Sequence, residues 1–253
     1  VDILVCVKRV PMVGGRIAVT PDGQDVDTRM SGFTVSPHEE CAVEEAVQIT
    51  GRLGGSVTVL TLGPPDAADQ LRDMLALGGG SAVLLETDGR EWGPMATAAA
   101  IADMVDRRAD GPYDLLLFGN EAADTGDYQV AVRVAHALGL PCVTGVKNLE
   151  ISGDGARASR QYRGREEVFD LPLPAVISVK EGINLPRYPS LPGRLRAKRA
   201  AIDTLHPSWH AEGLHKDALR VPVQEDKRAR LLGSGAEAAP ALARLLAELG
   251  VLP

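Results

Sequence analysis

The run from Gly119 to Val130, GNEAADTGDYQV, holds the densest set of residues in this chain able to grip a phosphate. Gly119 and Gly126 allow a ligand close to the backbone, and Thr125 offers a hydroxyl. The apolar stretch that follows reads as a helix whose first amides have no partner of their own, a natural seat for an anion. Gly, Asn and Asp also make ordinary turns, so spacing alone leaves two readings open, phosphate cradle and plain connection. Two further places share the geometry. Cys6 to Arg9 leaves the first apolar run, and Ser36-Pro37-His38-Glu39 opens a helix. His38, at the second helical position, faces either a bound nucleotide or water.

Other chemistries lack their residues. No GxGxxG follows the first apolar run and no GxxxxGK[ST] occurs, which disfavours dinucleotide and Walker-type sites. His206 and His210 stand four apart, but Pro207 spoils a helical pair and there is no HExxH; they read as surface histidines. Ser36 and Ser190 lack a GxSxG setting, and Glu166-Glu167 reads as a solvated face. With no acid/base pair in view, a carrier fits better than a hydrolase, and no catalytic residue and no metal ligand are expected.

The elements that must position these residues follow from hydrophobic pattern. DILVCVK at 2–8 reads as a buried strand, and RIAVTPDGQDV as two short strand-like pieces around a Pro21-Asp22-Gly23 turn. Ser36, Pro37 and Glu39 form a capping box, and Ala42, Val43, Ala46, Val47 and Ile49 recur at helical spacing until Gly54-Gly55. Strands follow at 56–62, 82–85 and 113–118. Helices follow through Leu71 to Leu75 (stopping at Gly78-Gly79-Gly80), over 94–108, and through Val130 to Leu138. Four alternations with continuous apolar strands predict an α/β fold, a mostly parallel sheet covered on both faces.

After Pro141 the rhythm changes. Segments 142–151, 157–169 and 175–180 read as strands without intervening helices, with SRQYRGREE as an exposed pair and turn. Residues 186–199 are rich in Pro and Arg; the basic run reads as a solvated face or, given Ile183 and Leu185 beside it, as a docking segment. Residues 200–236 are polar and show little periodicity. A last helix, 237–249, carries Leu242, Leu245, Leu246 and Leu249. The expected organisation is an α/β nucleotide-binding domain over 1–200 and a C-terminal arm over 201–253 that lies on another chain, or folds back on its own domain. There is no internal repeat.

Composition narrows the class. Of 253 residues 45% are hydrophobic, enough for one good core, and the net charge of −7 argues against nucleic-acid binding. No run of about 18 apolar residues occurs, so no membrane insertion is expected. Cys6, Cys41 and Cys142 are odd in number and without a CxxC, pointing to a reducing compartment. The opening VDILVCVKRV lacks the pattern of a signal peptide. A bacterial cytoplasm is the expected location.

At these residues the chain resembles a known family. VCVKRVP at 5–11, SPHEECAVEEAVQI at 36–49, LGPP at 62–65, GNEAADTGDYQ at 119–129, LPAVISV at 173–179 and NLPRYPSLPGRLRAKRAAI at 184–202 are similar, in order, to electron transfer flavoprotein β subunits. The resemblance implies a fold like that of adenine-nucleotide α-hydrolases and an obligate α-subunit partner. It implies an FAD held mainly by that partner, and an AMP of structural role in the β subunit, or a second FAD in electron-bifurcating members. The nucleotide contacts would fall on Cys6, Ser36, Pro37, His38, Glu39, Leu62, Gly119, Asn120, Glu121, Ala122, Ala123, Asp124, Thr125, Gly126, Asp127, Tyr128, Gln129 and Val130. Bifurcating members usually carry DGDTAQ where this chain has DTGDYQ, so AMP is the expected occupant. Ile183 would be the anchor that docks partner dehydrogenases, with Asn184 and Leu185 beside it. Electrons would pass from flavoprotein dehydrogenases to a membrane quinone reductase.

Departures from the pattern are Met12, Ser36, Gln161, Arg163 and Arg165. They bear on subunit contacts and on which dehydrogenases are served. A stand-alone sensor of the universal-stress type is the alternative, but the Gly-rich phosphate loop it needs is missing. So is the Ser-Gly-Gly-x-Ser loop of ATP-using ligases.

Overall fold

The structure is a computed structural model, and it describes residues 1–12, 14, 17–210, 216–222, 229 and 231–251. Seven parallel strands form its central sheet. They are β1 (Asp2–Cys6), β4 (Ser56–Gly63), β5 (Ser81–Glu86), β6 (Leu115–Gly119), β7 (Cys142–Val146), β11 (Ala175–Val179) and β12 (Asp203–Leu205). Their order is β12-β5-β4-β1-β6-β11-β7. Two short strands, β2 (Val10–Pro11) and β3 (Phe33–Thr34), pair antiparallel, and Val19 bridges Val26 across the Pro21-Asp22-Gly23 turn. The strand-like pieces expected there amount to that single bridge.

Alternation along β1 shows how both faces are filled. Ile3 and Val5 join a core with Ala42, Val43, Ala46 and Ile49 of α1 (Pro37–Leu53) and Leu71 and Met74 of α2 (Ala68–Leu77). Leu4 and Cys6 point the other way, into a second core with Ala98 and Ile101 of α3 (Pro94–Asp106) and Ala131 and Val134 of α4 (Val130–Leu138). A strand buried on both faces is apolar at every position, which is why DILVC shows no alternation. Local signals placed the helices well. Ser36 and Glu39 make the reciprocal capping box, Pro37 sits in the first turn, and Gly54 closes α1 with a φ of 77°.

From β7 to β11 the three expected strands become five. β8 (Asn148–Ser152), β9 (Gly155–Tyr162) and β10 (Arg165–Pro172) form a separate antiparallel sheet between β7 and β11. The β9–β10 hairpin turns on Arg163 and Gly164, both with positive φ, as a two-residue hairpin turn requires. Three of the family departures, Gln161, Arg163 and Arg165, lie at this exposed tip and carry no core packing.

The basic stretch holds a helix that its pattern concealed, α5 (Leu191–Arg199), capped by the Ser190 side chain, which accepts from the Gly193 amide. Leu191 and Leu195 face solvent, while Gly193 and Ala197, four apart, are buried. A Cβ on Gly193 would stand 3.0 Å from the Ala76 carbonyl oxygen of α2. Contact through two small residues leaves no apolar stripe to read.

The chain divides into two compact units, Val1–Leu219 and Arg220–Pro253. The first therefore extends past residue 200, because Asp203–Leu205 adds an edge strand to β5, too short to show periodicity. The second contains α6 (Ala239–Glu248), preceded by a 3₁₀ turn over Gly235–Ala238; none of its helical residues is buried, and Leu242 is exposed. Among the described residues, no helix is long and apolar enough to cross a membrane. Nor does any group of three or more His, Cys, Asp or Glu there suit a metal ion.

Candidate functional site

From β1 the chain steps outward through β4 and β5, then returns to place β6 on the opposite flank of β1. Such a reversal opens a crevice beyond the carboxyl ends of β1 and β6. A cavity of about 230 Å³ lies there, lined by Cys6 at the end of β1, Leu60 and Leu62 of β4, and Phe118 and Gly119 of β6. Three helix starts border it. Glu39 belongs to α1, Gly93, Pro94 and Thr97 to α3, and Val130 and Ala131 to α4. The Ser36 side chain serves the Glu39 amide in the first turn of α1, whereas α4 has no side-chain cap. The uncapped start of α4 beside an apolar wall suits a phosphate joined to a flat ring.

Glu39 is the electrostatic oddity of the site. Its carboxylate accepts from the Lys8 amide at 2.8 Å and from the Ser36 amide and hydroxyl at 3.1 and 2.9 Å. Burial raises its pKa to about 7, outweighing those hydrogen bonds. Burial, with the nearby Glu39 charge, also pushes the Cys6 thiol far up, so Cys6 serves as apolar wall rather than nucleophile. Gly119 is indispensable to the approach of α1, since a Cβ there would lie 2.7 Å from Glu39 Cγ.

Of the residues expected at a nucleotide, Cys6, Glu39, Leu62, Gly119, Asn120, Glu121, Ala122, Thr125, Asp127, Tyr128 and Val130 line the cavity. The others stand behind it. Ser36 caps α1, Pro37 fills its first turn, and His38 packs near Gly119. Asp124 pairs with Lys8 at 2.7 Å, Gly126 donates its amide to the Ala122 carbonyl, and Gln129 binds Arg133. Ala123 is exposed.

The wall over Glu91–Pro94 was not foreseen, although Gly93 before Pro94 marks a helix start at a strand end like the others. It is held from outside by Trp209 and Lys216. Trp209 Nε1 donates to the Glu91 carbonyl at 3.1 Å, and Lys216 reaches both Glu91 and Asp25.

A family model for the electron transfer flavoprotein domain matches residues 26–208. The chain belongs to the electron transfer flavoprotein family. Among its relatives it is similar to an electron transfer flavoprotein subunit beta of Bacillus subtilis, 38% identical over 175 residues, 68% of this chain and 67% of that one. The human protein of the same description is 30% identical over 252 residues, 98% and 97% of the two chains. A third relative, described as acryloyl-CoA reductase electron transfer subunit gamma, of Anaerotignum propionicum, is 31% identical over 76% of this chain and 72% of its own.

In this electron transfer flavoprotein chain the AVEEA run of α1 serves the segment beyond β11. Glu44, its side chain 4% exposed, accepts from the Arg187 amide at 3.2 Å and from its guanidinium at 2.8 and 3.0 Å. Burial would raise the Glu44 carboxyl, but the Arg187 and Gln48 bonds outweigh it and hold it low. Asn184 donates to Glu45 and to the Cys41 carbonyl. This tie leaves Ile183, the expected anchor, half-buried on the core, while Leu185 stands 89% exposed. Glu44→Ala is expected to cost about 1–2 kcal/mol, discounted because Arg187 is half in water. It should also release the 184–188 backbone, seen as faster amide exchange in Asn184, Leu185, Arg187 and Tyr188. Unchanged protection of those amides would show that the tie is idle.

Proposed function

We propose that this chain is the β-type subunit of a two-subunit electron carrier, with AMP in the cavity at the β1/β6 crevice and an FAD held mainly by an α subunit. The observation that carries the nucleotide is the opening of the α4 start, which has no side-chain cap, onto an apolar-walled cavity in a chain of this family. The residues fit such a group. The strand ends supply the apolar wall, Gly119 keeps the backbone low, and the first-turn amides of α4 await an anion. FAD supplies the electron-holding ring when the carrier is assembled, and the polypeptide positions it and limits access.

Leu185 and the segment tied to Glu44 and Glu45 would meet flavoprotein dehydrogenases, and a quinone reductase would take the electrons onward. The arm with the exposed Leu242 of α6 would lie on the α subunit. A stand-alone stress-type sensor is not favoured, since family membership extends from residue 26 to residue 208.

The test is the content of the purified two-subunit complex after denaturation. One FAD and one AMP per heterodimer are expected. Two FAD and no AMP would place a second flavin in the cavity, and a complex that neither contains nor takes up flavin would overturn the carrier.

A further inference from the structure

We propose that Trp92 recognises the base in this cavity, its indole N–H donating to a ring nitrogen of a bound adenine; this deepens the nucleotide reading above and rests on it. Trp92 lines the cavity, packs against the core that contains Cys6, Leu60 and Ile101, and buries its Nε1 with no hydrogen-bond partner. A buried N–H without an acceptor is costly, so an unpaired N–H on a residue that lines a cavity points to a ligand that completes the bond. Other buried side-chain atoms in that condition belong to Arg9, His38, Gln70 and Asn184, and none of these four residues lines the cavity.

Several polar side chains around the cavity are already engaged. Glu39 is bound to Lys8 and Ser36, the Lys8 ammonium to Asp124, and the Asn120 side-chain oxygen to the Ser178 hydroxyl. Trp92 offers a buried donor without a partner that a heterocycle can use. An indole donates and cannot accept, so it selects a ring bearing a bare nitrogen, as adenine does at N1, N3 and N7. Its flat faces favour an aromatic partner as well.

The ring is also held in place from both sides. Glu91 before it is fastened to Trp209 and Lys216, and Gly93 and Pro94 after it begin α3. A donor fixed before the ligand arrives loses little freedom on binding. Adenine belongs to AMP and to FAD alike, so the same contact would serve either occupant, and the two are separated by titrating each.

The experiment uses the full chain freed of nucleotide, with AMP titrated by calorimetry and by tryptophan emission. Only two tryptophans are present, and Trp209 remains in Trp92→Phe as an internal reference. The parent is expected to bind AMP with a saturable change in emission. Trp92→Phe should bind roughly tenfold more weakly and lose that change, because a site built to donate rejects the pair lacking the bond. In the parent, one of 1-deaza-, 3-deaza- and 7-deaza-AMP should bind about tenfold more weakly than AMP, a result that needs no variant to fold. Parent-like affinity in Trp92→Phe overturns the assignment while leaving the nucleotide site standing, as do three deaza analogues that all bind like AMP. No binding of AMP or FAD to the parent removes the site itself and Trp92's role with it. FAD binding more tightly than AMP, with the same loss in Trp92→Phe, supports the contact and names the second flavin as occupant.

Discussion

Gly119→Ala is expected to destabilise the chain by about 1–3 kcal/mol and to strip the proposed nucleotide from the purified complex. The new methyl would meet Glu39 Cγ at 2.7 Å, His38 Cβ at 3.3 Å and the Glu39 amide nitrogen at 3.4 Å. None of these is the free end of a flexible side chain. Glu39 is pinned by three hydrogen bonds, and the two backbones belong to a central strand and a 17-residue helix. The start of α1 must therefore move away from the end of β6, which displaces Glu39 from the cavity wall. Urea denaturation gives the stability, and AMP released on heating gives the occupancy. A Gly119→Ala complex of parental stability that still releases stoichiometric AMP would show that the crevice does not need this approach.

The second large effect is in pH. The Glu39 pKa is about 7 in the folded chain, raised from 4.5 by burial. A group whose folded pKa is raised stabilises the fold fully below its unfolded pKa and loses that contribution as pH rises through the folded one. Stability without nucleotide should accordingly fall between about pH 4.5 and pH 7. Glu39 alone accounts for roughly 3 kcal/mol of that fall, from about 2.5 pKa units at 1.36 kcal/mol each. Burial raises the carboxyls of Glu40, Glu45 and Asp73 too, so the decisive quantity is the difference between parent and Glu39→Gln. Glu39→Gln should lower stability at pH 5, where it sacrifices an acceptor, and should flatten the profile through pH 7. Parallel profiles for the two proteins would mean that Glu39 titrates as an ordinary carboxylate.

Both effects come from residues recognisable in the sequence, but by different means. The capping box of Ser36 and Glu39 is visible because its partners are three residues apart and the bond closes within one helical turn. The same box leaves Glu39 a buried acid, and its burial depends on β6 lying against α1, which no local pattern states. Gly119 reads as a permissive residue in a loop; that it spaces a strand from a helix is known only once the two meet.

The family motifs behave alike. AVEEA and NLPRY are separate words in the sequence, 143 residues apart, and the Glu44–Arg187 pair that joins them is a product of packing. The same packing half-buries Ile183 and exposes Leu185.

Residue pattern alone determined the alternating α/β architecture, the start and end of α1, the extent of α4 and the strand ends that line the cavity. Hydrophobic period, caps and glycines act within a few residues, so they survive in a linear string. Only the tertiary structure decided that Glu91–Pro94 closes the cavity, that two small residues seat α5, and that Asp203–Leu205 completes the sheet. Those outcomes follow from the strand order, in which the chain reverses across β1 and brings distant segments to one rim; burial and close approach are properties of that meeting, and no residue carries them by itself.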